Sequence, residues 1–175
     1  MKKVQLIALL CAFSLVFLPL AGCKKASGSY FSYRDTARSV RMTGTKDGSP
    51  LSCDIYCDGG RFQKIVYLAP EPLCGLTLTA LSHDSFRIEK DGISLEYRYD
   101  ENPFDELFFP SRIFLLEGAD DTSVCEVQKI STGFLVTVSL PSQPQSVTLD
   151  LNTDGFPTVL SSAHFSFQIT QHTAN

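Results

Sequence analysis

Short runs in which apolar and polar residues alternate fill most of residues 40–170, and this pattern constrains the fold more than any other feature. The clearest runs are Leu51–Cys57 and Phe134–Leu140. Successive side chains on a β-strand point to opposite faces of the sheet, so each run predicts a strand with one apolar face. Turn signals such as Asp58-Gly59-Gly60 and Asp91-Gly92 separate the runs, as is typical of hairpins. The sequence therefore predicts nine or ten antiparallel strands that follow one another as a meander.

The one-sided pattern of these strands indicates how the sheet is arranged. In the strand predicted at residues 61–68, for example, Phe62, Val66 and Leu68 share one side. A sheet with one apolar and one polar face must curl around a filling or close on itself. With 43% hydrophobic and 19% charged residues, the chain has enough apolar side chains to form such a core.

The middle of the chain, around residues 102–118, differs from the rest because its sequence predicts helix instead of strand. Asn102 and Pro103 are typical of a helix start, and a short helix is predicted to end before Pro110. Residues 111–117 predict one or two further turns, closed by Gly118. We therefore expect a mainly β (α+β) fold. It is a strongly curved antiparallel sheet, or unclosed half-barrel, with one or two short helices in its concave face.

The first 23 residues have the order of an export signal. Met1-Lys2-Lys3 is basic, residues 4–20 are almost uninterruptedly apolar, and Leu20-Ala21-Gly22-Cys23 follows. A basic start, an apolar run and small residues form the secretory pattern, and the run is short for a membrane span. The alternatives are an uncleaved N-terminal helix and an ordinary signal with a chance cysteine.

The four-residue box at Cys23 resembles the lipobox of bacterial lipoproteins. The resemblance implies a signal peptide at residues 1–22, cleavage before Cys23, diacylglycerol on the Cys23 sulfur, and usually acylation of the new amino group, with palmitate as a typical acyl chain. Residues 23–29 then form a lipidated tether and residues 30–175 a single β domain. Acyl chains bind membranes because each buried CH₂ contributes about 0.8 kcal/mol. We expect a protein that is lipid-anchored to the cell membrane and faces outside the cytoplasm.

Four cysteines remain in the expected domain, and an exported protein can pair them as disulfides. They are Cys53, Cys57, Cys74 and Cys125. Cys53 and Cys57 would lie about 13 Å apart on one strand, beyond the about 7 Å that a disulfide spans. Cys53 with Cys74 and Cys57 with Cys125, or Cys53 with Cys125 and Cys57 with Cys74, stay open, as do four free, buried thiols. The same spacing disfavours a tetrahedral zinc site.

Three longer stretches carry a resemblance to a group of envelope proteins. Phe62–Leu73 is a strand that leads into a proline-containing turn, Asp91–Tyr97 is a hairpin of the form D-G-x-x-x-x-Y, and Val147–Pro157 is a late strand, turn and proline. They resemble the LolA/LolB/RseB-like group of periplasmic and lipoprotein domains, over roughly residues 35–170. The resemblance implies an unclosed, strongly curved antiparallel sheet with helices in its concavity. Small lipoproteins of this type, including a spore-germination lipoprotein of clostridia, use the fold as a docking platform.

Residues 103–116 hold more large apolar side chains than one short amphipathic helix needs, and they are the candidate binding segment. The predicted ligand-binding residues are Phe104, Leu107, Phe108, Phe109, Ile113 and Phe114. The segment is predicted either to plug the concave face of the sheet or to form a lid over an apolar pocket for a lipid or acyl chain.

The remaining polar clusters favour neither a catalytic nor a metal site. Ser82-His83-Asp84-Ser85 contains the residue types of a hydrolase triad, but a triad draws them from separate elements, so a polar loop is expected. Asp100-Glu101 and Asp120-Asp121 lack the spacing of a calcium loop. A formal net charge of −4 disfavours nucleic-acid binding. A small basic cluster is expected to be a solvated strand face, with lipid headgroups as the alternative contact: Arg34, Arg38 and Arg41.

Taken as expectations, these features predict a lipid-anchored binding or docking module that is not an enzyme and holds no metal or cofactor. It would engage a hydrophobic ligand, such as a lipid or acyl chain, or an envelope protein. The alternative is a purely structural or assembly lipoprotein, for example a spore- or envelope-associated docking factor, with a filled core and no ligand. An open apolar cavity beneath residues 103–116 favours a ligand, whereas a filled core there favours docking.

Overall fold

The computed structural model describes residues 29–36, 39–141 and 145–171, and within them eleven strands. The strands are β1 (Ser39–Lys46), β2 (Ser49–Asp58), β3 (Arg61–Ala69), β4 (Thr77–Ala80), β5 (Ser85–Lys90), β6 (Ile93–Arg98), β7 (Val124–Ile130), β8 (Gly133–Val138), β9 (Val147–Asn152), β10 (Pro157–Ser161) and β11 (Phe165–Gln171). The α-helices are α1 (Tyr33–Thr36) and α2 (Phe109–Leu115), and 3-10 helices cover Glu71–Leu73, Tyr99–Glu101, Asp105–Phe108 and Asp121–Ser123. The predicted signal peptide, Cys23 and the tether up to Gly28 lie outside the described residues. Within the described ranges, no helix combines the length and apolar character needed to cross a membrane.

The eleven strands form one antiparallel sheet with two free edges. Its order is β6-β5-β4-β3-β2-β1-β11-β10-β9-β8-β7. Two meanders, β1–β6 and β7–β11, meet where β1 pairs with β11. Residues 99–123 connect the two edge strands and carry α2 with three of the 3-10 helices. The predicted mainly β, unclosed antiparallel sheet with few short helices is confirmed, and β10 is a strand that the sequence pattern did not reveal.

The Asp-Gly signals form tight turns. Between β5 and β6, Asp91 and Gly92 have φ values of 51° and 80°, and Lys90 faces Ile93 across the hairpin. Two positive φ values are typical of a type I′ turn, whose twist matches that of the paired strands. The turn between β1 and β2 has the same form at Asp47 and Gly48, with φ values of 49° and 77°.

The predicted facing of β3 is wrong for most of the strand. Ile65 and Tyr67 are buried, whereas Val66 and Leu68 are only half-buried. Residue 64 pairs with residue 56 and residue 62 with residue 57, so Gln63 is an extra residue in β3. Such a β-bulge reverses the alternation of side chains. Phe62 therefore faces the core on one side of the bulge, and Ile65 and Tyr67 face it on the other.

The helical segment runs through Pro110 instead of ending before it. The 3-10 helix Asp105–Phe108 leads directly into α2, where Pro110 occupies the first turn. Proline is tolerated there because the first N–H groups of a helix have no partner within the helix. Leu116, with φ at 47°, ends α2 two residues before the predicted Gly118.

The core lies between the apolar face of the sheet and the segment 104–116. The ring of Phe108 meets Phe62 of β3 and Phe86 of β5 at centroid distances of 5.4 and 4.8 Å. The next residue, Phe109, meets Phe165 and Phe167 of β11 at 5.5 and 6.4 Å. Adjacent residues of one short segment thus contact strands that are well separated in the sheet order.

Candidate functional site

The six predicted ligand-binding residues act mainly as core residues in the structure. Phe108, Ile113 and Phe114 are buried, with 3%, 1% and 0% of their surfaces exposed. Leu107 and Phe109 are half-buried against the same core, while Phe104 is exposed. Of the six, only Phe108 lines the open cleft described below. The segment therefore fills the space beneath it with its own side chains.

Two buried tyrosine hydroxyls fasten this segment. Tyr67 on β3 donates to the carbonyl oxygen of Leu107 at 2.7 Å, and Tyr33 on α1 donates to that of Phe114 at 2.7 Å. Burial raises the pKa of both hydroxyls well above the ordinary tyrosine value, so they remain protonated donors. A buried carbonyl left without a partner costs about 1–3 kcal/mol, and the two bonds therefore fix the position of the segment.

A cleft of about 1130 Å³ opens beside the segment, where separate parts of the chain meet. Its walls are residues 29–35 with α1, the turn between β2 and β3, the loop between β4 and β5, and part of residues 108–118. Small-molecule pockets typically measure about 300–1,000 Å³. The cleft therefore has room for more than a compact small ligand.

The lining of the cleft combines aromatic and charged side chains. Phe31, Phe62 and Phe108 are among its lining residues, and of these Phe62 is half-buried while Phe31 and Phe108 are buried. The ionisable side chains that line it are Arg34, Asp35, Arg61, His83, Arg112 and Glu117. Protein interfaces pair an apolar, aromatic centre with a polar rim, whereas small-ligand pockets are lined mostly by apolar groups. The mixed lining thus suits a peptide segment or an amphiphile better than a purely apolar ligand.

Two of the arginines at the cleft are held by the protein itself. Arg34 donates through Nη1 to the carbonyl oxygens of Leu115 and Ala119 at 3.2 and 3.1 Å, just where α2 ends and its carbonyls lack helical partners. Arg112 donates to the carboxylate of Asp105 at 2.7 Å, and this hydrogen bond lowers the pKa of that carboxyl group. Both arginines therefore shape the cleft wall.

Arg61 differs from these two because it is exposed and makes no ion pair with another described residue. It lies at the start of β3, directly after the Gly59-Gly60 turn. Gly60 has φ at 74°, and a Cβ atom there would already contact the Asp35 carboxylate at 3.6 Å. The turn therefore lies against α1 and presents the Arg61 guanidinium beside the cleft, available to a partner.

The Ser82–Ser85 loop forms a local polar network at one end of the cleft. Ser82 Oγ donates to the Asp84 carboxylate at 2.5 Å and lies 2.6 Å from Ser85 Oγ. The bond from Ser82 lowers the pKa of Asp84. The Ser82 hydroxyl is thus engaged by its own loop and not by His83. Within the described part of the chain, no cluster of three or more His, Cys, Asp or Glu side chains has the arrangement to hold a metal ion.

The four domain cysteines are free and divide into two pairs. Cys53 and Cys57 are buried on the apolar face of β2, and burial raises the pKa of each thiol to about 12. A protonated, buried thiol is a poor nucleophile. Cys74 and Cys125 are exposed, so the expectation of buried thiols is wrong for these two. Neither of the two disulfide patterns left open by the sequence is present among these four cysteines.

Comparison with known proteins shows structural similarity without sequence similarity. No protein-family model matches the sequence, and no curated protein matches it. The chain is similar to the crystal structure of an uncharacterized conserved protein from Thermus thermophilus, with a TM-score of 0.53 and 9% sequence identity. The match covers 83% of this chain and 85% of that chain. At this identity the likeness shows the fold alone.

Few of the residues that line the cleft belong to the sites predicted from the sequence. Of the basic cluster near the tether, Arg34 lines the cleft, Arg41 instead pairs with Asp54 at 2.7 Å, and Arg38 lies outside the described residues. The acidic pair Asp120-Asp121 has structural roles. Asp120 caps the following 3-10 helix, and Asp121 accepts a hydrogen bond from Ser29 at 2.9 Å. Gly59 and Gly60, which the sequence predicted as a turn between two strands, also line the cleft.

Proposed function

We propose that this chain is a lipid-anchored binding module of the cell envelope, that it does no chemistry, and that a protein partner docks in the cleft. One observation carries the proposal. Most apolar side chains of residues 104–116 pack in the core, while Arg112 and Leu115 of the same segment are half-buried and line an open cleft of mixed character. A filled core leaves little room for a buried hydrophobic ligand, and the cleft offers the polar and aromatic groups that protein interfaces use.

The fold that we propose with it is a strongly curved half-barrel whose concave face holds residues 104–116. Phe108 contacts β5 and the adjacent Phe109 contacts β11, yet these strands lie five positions apart in the sheet order. Neighbouring strands are spaced by about 4.8 Å, so the two contacts would lie about 24 Å apart on a flat sheet. Two adjacent residues reach both strands only where the sheet bends around them, which supports the half-barrel.

The position of the tether bears on which partner can reach the cleft. Ser29 lines the cleft, and Tyr30 packs edge-on against Phe134 at 6.1 Å, so the chain enters the domain at this end. The six residues that follow Cys23, up to Ser29, span at most about 20 Å. A domain anchored through Cys23 would therefore hold the cleft rim close to the membrane, which favours a membrane protein or a partner with its own anchor.

A lipid or acyl chain is the second candidate occupant, and the aromatic part of the lining favours it. The half-buried rings of Phe62 and Tyr99 provide a surface on which a chain can lie, and Arg61 is placed to meet an acidic headgroup. Native mass spectrometry of the mature protein, with organic extraction of bound molecules, separates the candidates. A bound lipid at one per chain would replace the docking proposal, and an apo mass is the result that docking predicts.

Anchoring is tested by replacing Cys23 with serine. The variant lacks the sulfur that carries the lipid, so it is expected in the soluble extracytoplasmic fraction, while the unaltered chain sediments with membranes. Cys74→Ser is the matched control, because it removes an exposed thiol of the folded domain and should leave the membrane fraction unchanged. Membrane association of the Cys23→Ser variant that resists carbonate would contradict lipid anchoring.

Docking is tested by site-specific photo-crosslinking in intact cells. A photoreactive residue at His83, on the cleft, is expected to yield one discrete adduct with an envelope protein, whereas the same residue at Asp154, on the turn between β9 and β10, should not. Arg61→Glu is expected to remove the adduct, and Arg87→Glu, a charge reversal on β5 away from the cleft lining, to retain it. Equal adducts from His83 and Asp154, or an adduct insensitive to Arg61→Glu, would refute the cleft as the docking site. With neither lipid nor adduct, the structural or assembly lipoprotein becomes the better account.

A further inference from the structure

The two edges of the sheet are protected to very different degrees. On β7, a bulge between Val124 and Glu126 interrupts the pairing, and Lys129 lies opposite Phe134, on the same face as Val127. Bulges and charges pointing to the apolar side are the devices by which proteins prevent an edge strand from pairing with another chain. β6 has neither, because its six residues pair with β5 in one unbroken register and its apolar face carries no charge.

Among the described residues, the backbone of β6 has a row of hydrogen-bonding groups that no other strand pairs with. The tight Asp91-Gly92 turn makes Lys90 and Ile93 the first hydrogen-bonded pair, and odd-numbered residues of β6 continue that alternation. Tyr99 N, which donates to the Asp84 carbonyl oxygen at 3.0 Å, keeps to the same pattern. The N–H and C=O groups of Ser94, Glu96 and Arg98 therefore point away from β5, toward the open edge.

The apolar face of β6 is exposed as well. Tyr97 stacks on the buried Phe86, which shows that Ile93, Leu95 and Tyr97 lie on the core side of the sheet. Yet Ile93 is 66% exposed and Leu95 48% exposed, and five of the six β6 residues are exposed. An unpaired edge with an apolar face is a template for another strand.

We propose that β6 pairs antiparallel with β6 of a second copy of this chain, so that the two sheets become continuous. A two-fold axis through Leu95 sets Leu95 opposite Leu95 of the second copy, and Ile93 opposite Tyr97 of the second copy. Ser94 and Glu96 then face each other on the polar side and exchange the free backbone hydrogen bonds. Across this register, apolar side chains therefore lie opposite apolar side chains, and the Ser94 hydroxyl lies opposite a Glu96 carboxylate with which it can form a hydrogen bond.

Charge and register both select this arrangement. A shift by one residue would place apolar side chains opposite polar ones. A shift by two residues would set Glu96 opposite Glu96 in one direction and Arg98 opposite Lys90 in the other. In the chosen register, Arg98 lies opposite the Asp91-Gly92 turn of the second copy, where the Asp91 carboxylate is exposed. Arg98 already pairs with Asp100 of its own copy at 3.1 Å, so at each end of the pair the Asp91 carboxylate would approach this ion pair from the side of its cation.

The test is a cysteine crosslink in the mature, membrane-bound chain, with Cys74 and Cys125 replaced by serine. Two residues directly opposite each other on antiparallel strands have Cβ atoms about 4.5–5.5 Å apart, close to disulfide distance. Leu95→Cys is therefore expected to give a species of twice the monomer mass under mild oxidation with copper phenanthroline. Val127→Cys, an exposed apolar position on the other edge, is the matched control and is expected to stay monomeric.

A second measurement covers the case in which Leu95→Cys does not fold. Sedimentation of the otherwise unaltered mature chain in detergent is expected to give a dimer, and Ser94→Pro a monomer. The N–H of Ser94 points away from β5, so proline there blocks the new pairing while the β5–β6 hairpin remains. A monomeric unaltered chain, equal crosslinking of Leu95→Cys and Val127→Cys, or a Leu95→Cys disulfide to a different protein would each overturn the proposal. None of these outcomes depends on what occupies the cleft.

Discussion

At the scale of single residues, the structure distinguishes thiols that the sequence treats alike. Cys53 and Cys57 are buried on β2, while Cys74 and Cys125 are exposed. We expect a maleimide at pH 7.5 to modify Cys74 and Cys125 in the native chain and to spare the other pair, because burial keeps those two thiols protonated and inaccessible. Peptide mapping by mass spectrometry measures the modification at each site. Labelling of Cys53 at the rate of Cys74 without denaturant would contradict the structure.

A second residue-scale prediction concerns Gly44, where two strands approach each other closely. A Cβ atom on Gly44 would lie 1.9 Å from the carbonyl oxygen of Ser166 on β11, so the backbone of one strand must shift to admit it. We expect Gly44→Ala to lower the free energy of unfolding by about 1–3 kcal/mol, the usual cost of overpacking. Thr45→Ala, at the exposed neighbouring position, is the control and should change it by less than about 0.5 kcal/mol. Urea denaturation measures both, and equal stabilities would show that β1 and β11 are not paired in this register.

At the scale of elements, the segment from Phe104 to Leu116 determines the interior of the molecule. Phe114 is fully buried and its ring lies 5.6 Å from that of Tyr33. Phe114→Ala is therefore expected to cost about 3–5 kcal/mol. Phe104→Ala should cost about 1 kcal/mol, because its ring is 38% exposed and loses chiefly an edge contact with Tyr97. Chemical denaturation measures the difference, and a near-neutral Phe114→Ala would indicate a mobile lid in place of a packed plug.

The elements also show where sequence patterns succeed and fail. Period-two alternation located ten of the strands, because apolar and polar residues alternate along them, as in Val147, Leu149 and Leu151 of β9. It failed at Gln63, because a bulge adds a residue without any compositional sign, and the side chains from Lys64 to Tyr67 change face. It also missed β10, which begins at Pro157 and contains a register shift before Val159, so no clean alternation develops there.

At the scale of the whole molecule, the cleft is a product of the tertiary fold. Its lining comes from residues as distant in the chain as Phe31, Phe62 and Phe108, and no local motif joins them. The apolar excess of residues 103–116 was visible in the sequence, but whether it faced a cavity or filled one depended on which strands surrounded it. The alternation of apolar and polar residues thus predicted the sheet, and the apolar excess predicted the segment that packs against it. The cleft beside that segment depends on the tertiary fold and could not be predicted from either pattern.

The buried thiols and tyrosines also give the whole molecule a predicted sensitivity to alkaline pH. Burial raises the pKa of Cys53 and of Cys57 from 9.0 to about 12, and it raises those of Tyr33 and Tyr67 as well. In the unfolded chain the thiols lose their protons near pH 9, whereas in the folded chain they keep them until about pH 12. Between about pH 9 and pH 12 the unfolded state therefore binds fewer protons than the folded state. The free energy of unfolding falls as the pH rises through this range.

We accordingly expect stability to be nearly constant below about pH 8.5 as far as these groups are concerned, and then to fall by up to about 1.4 kcal/mol per pH unit for each buried thiol. Cys57→Ala is expected to be less stable at neutral pH but to lose stability less steeply between pH 9 and pH 11, because one of the two thiol contributions is gone. Cys74→Ala, at an exposed thiol, should reproduce the slope of the unaltered chain. Urea midpoints measured every half pH unit distinguish the variants. Identical slopes for the two variants would mean that the thiol of Cys57 is not buried in the folded protein.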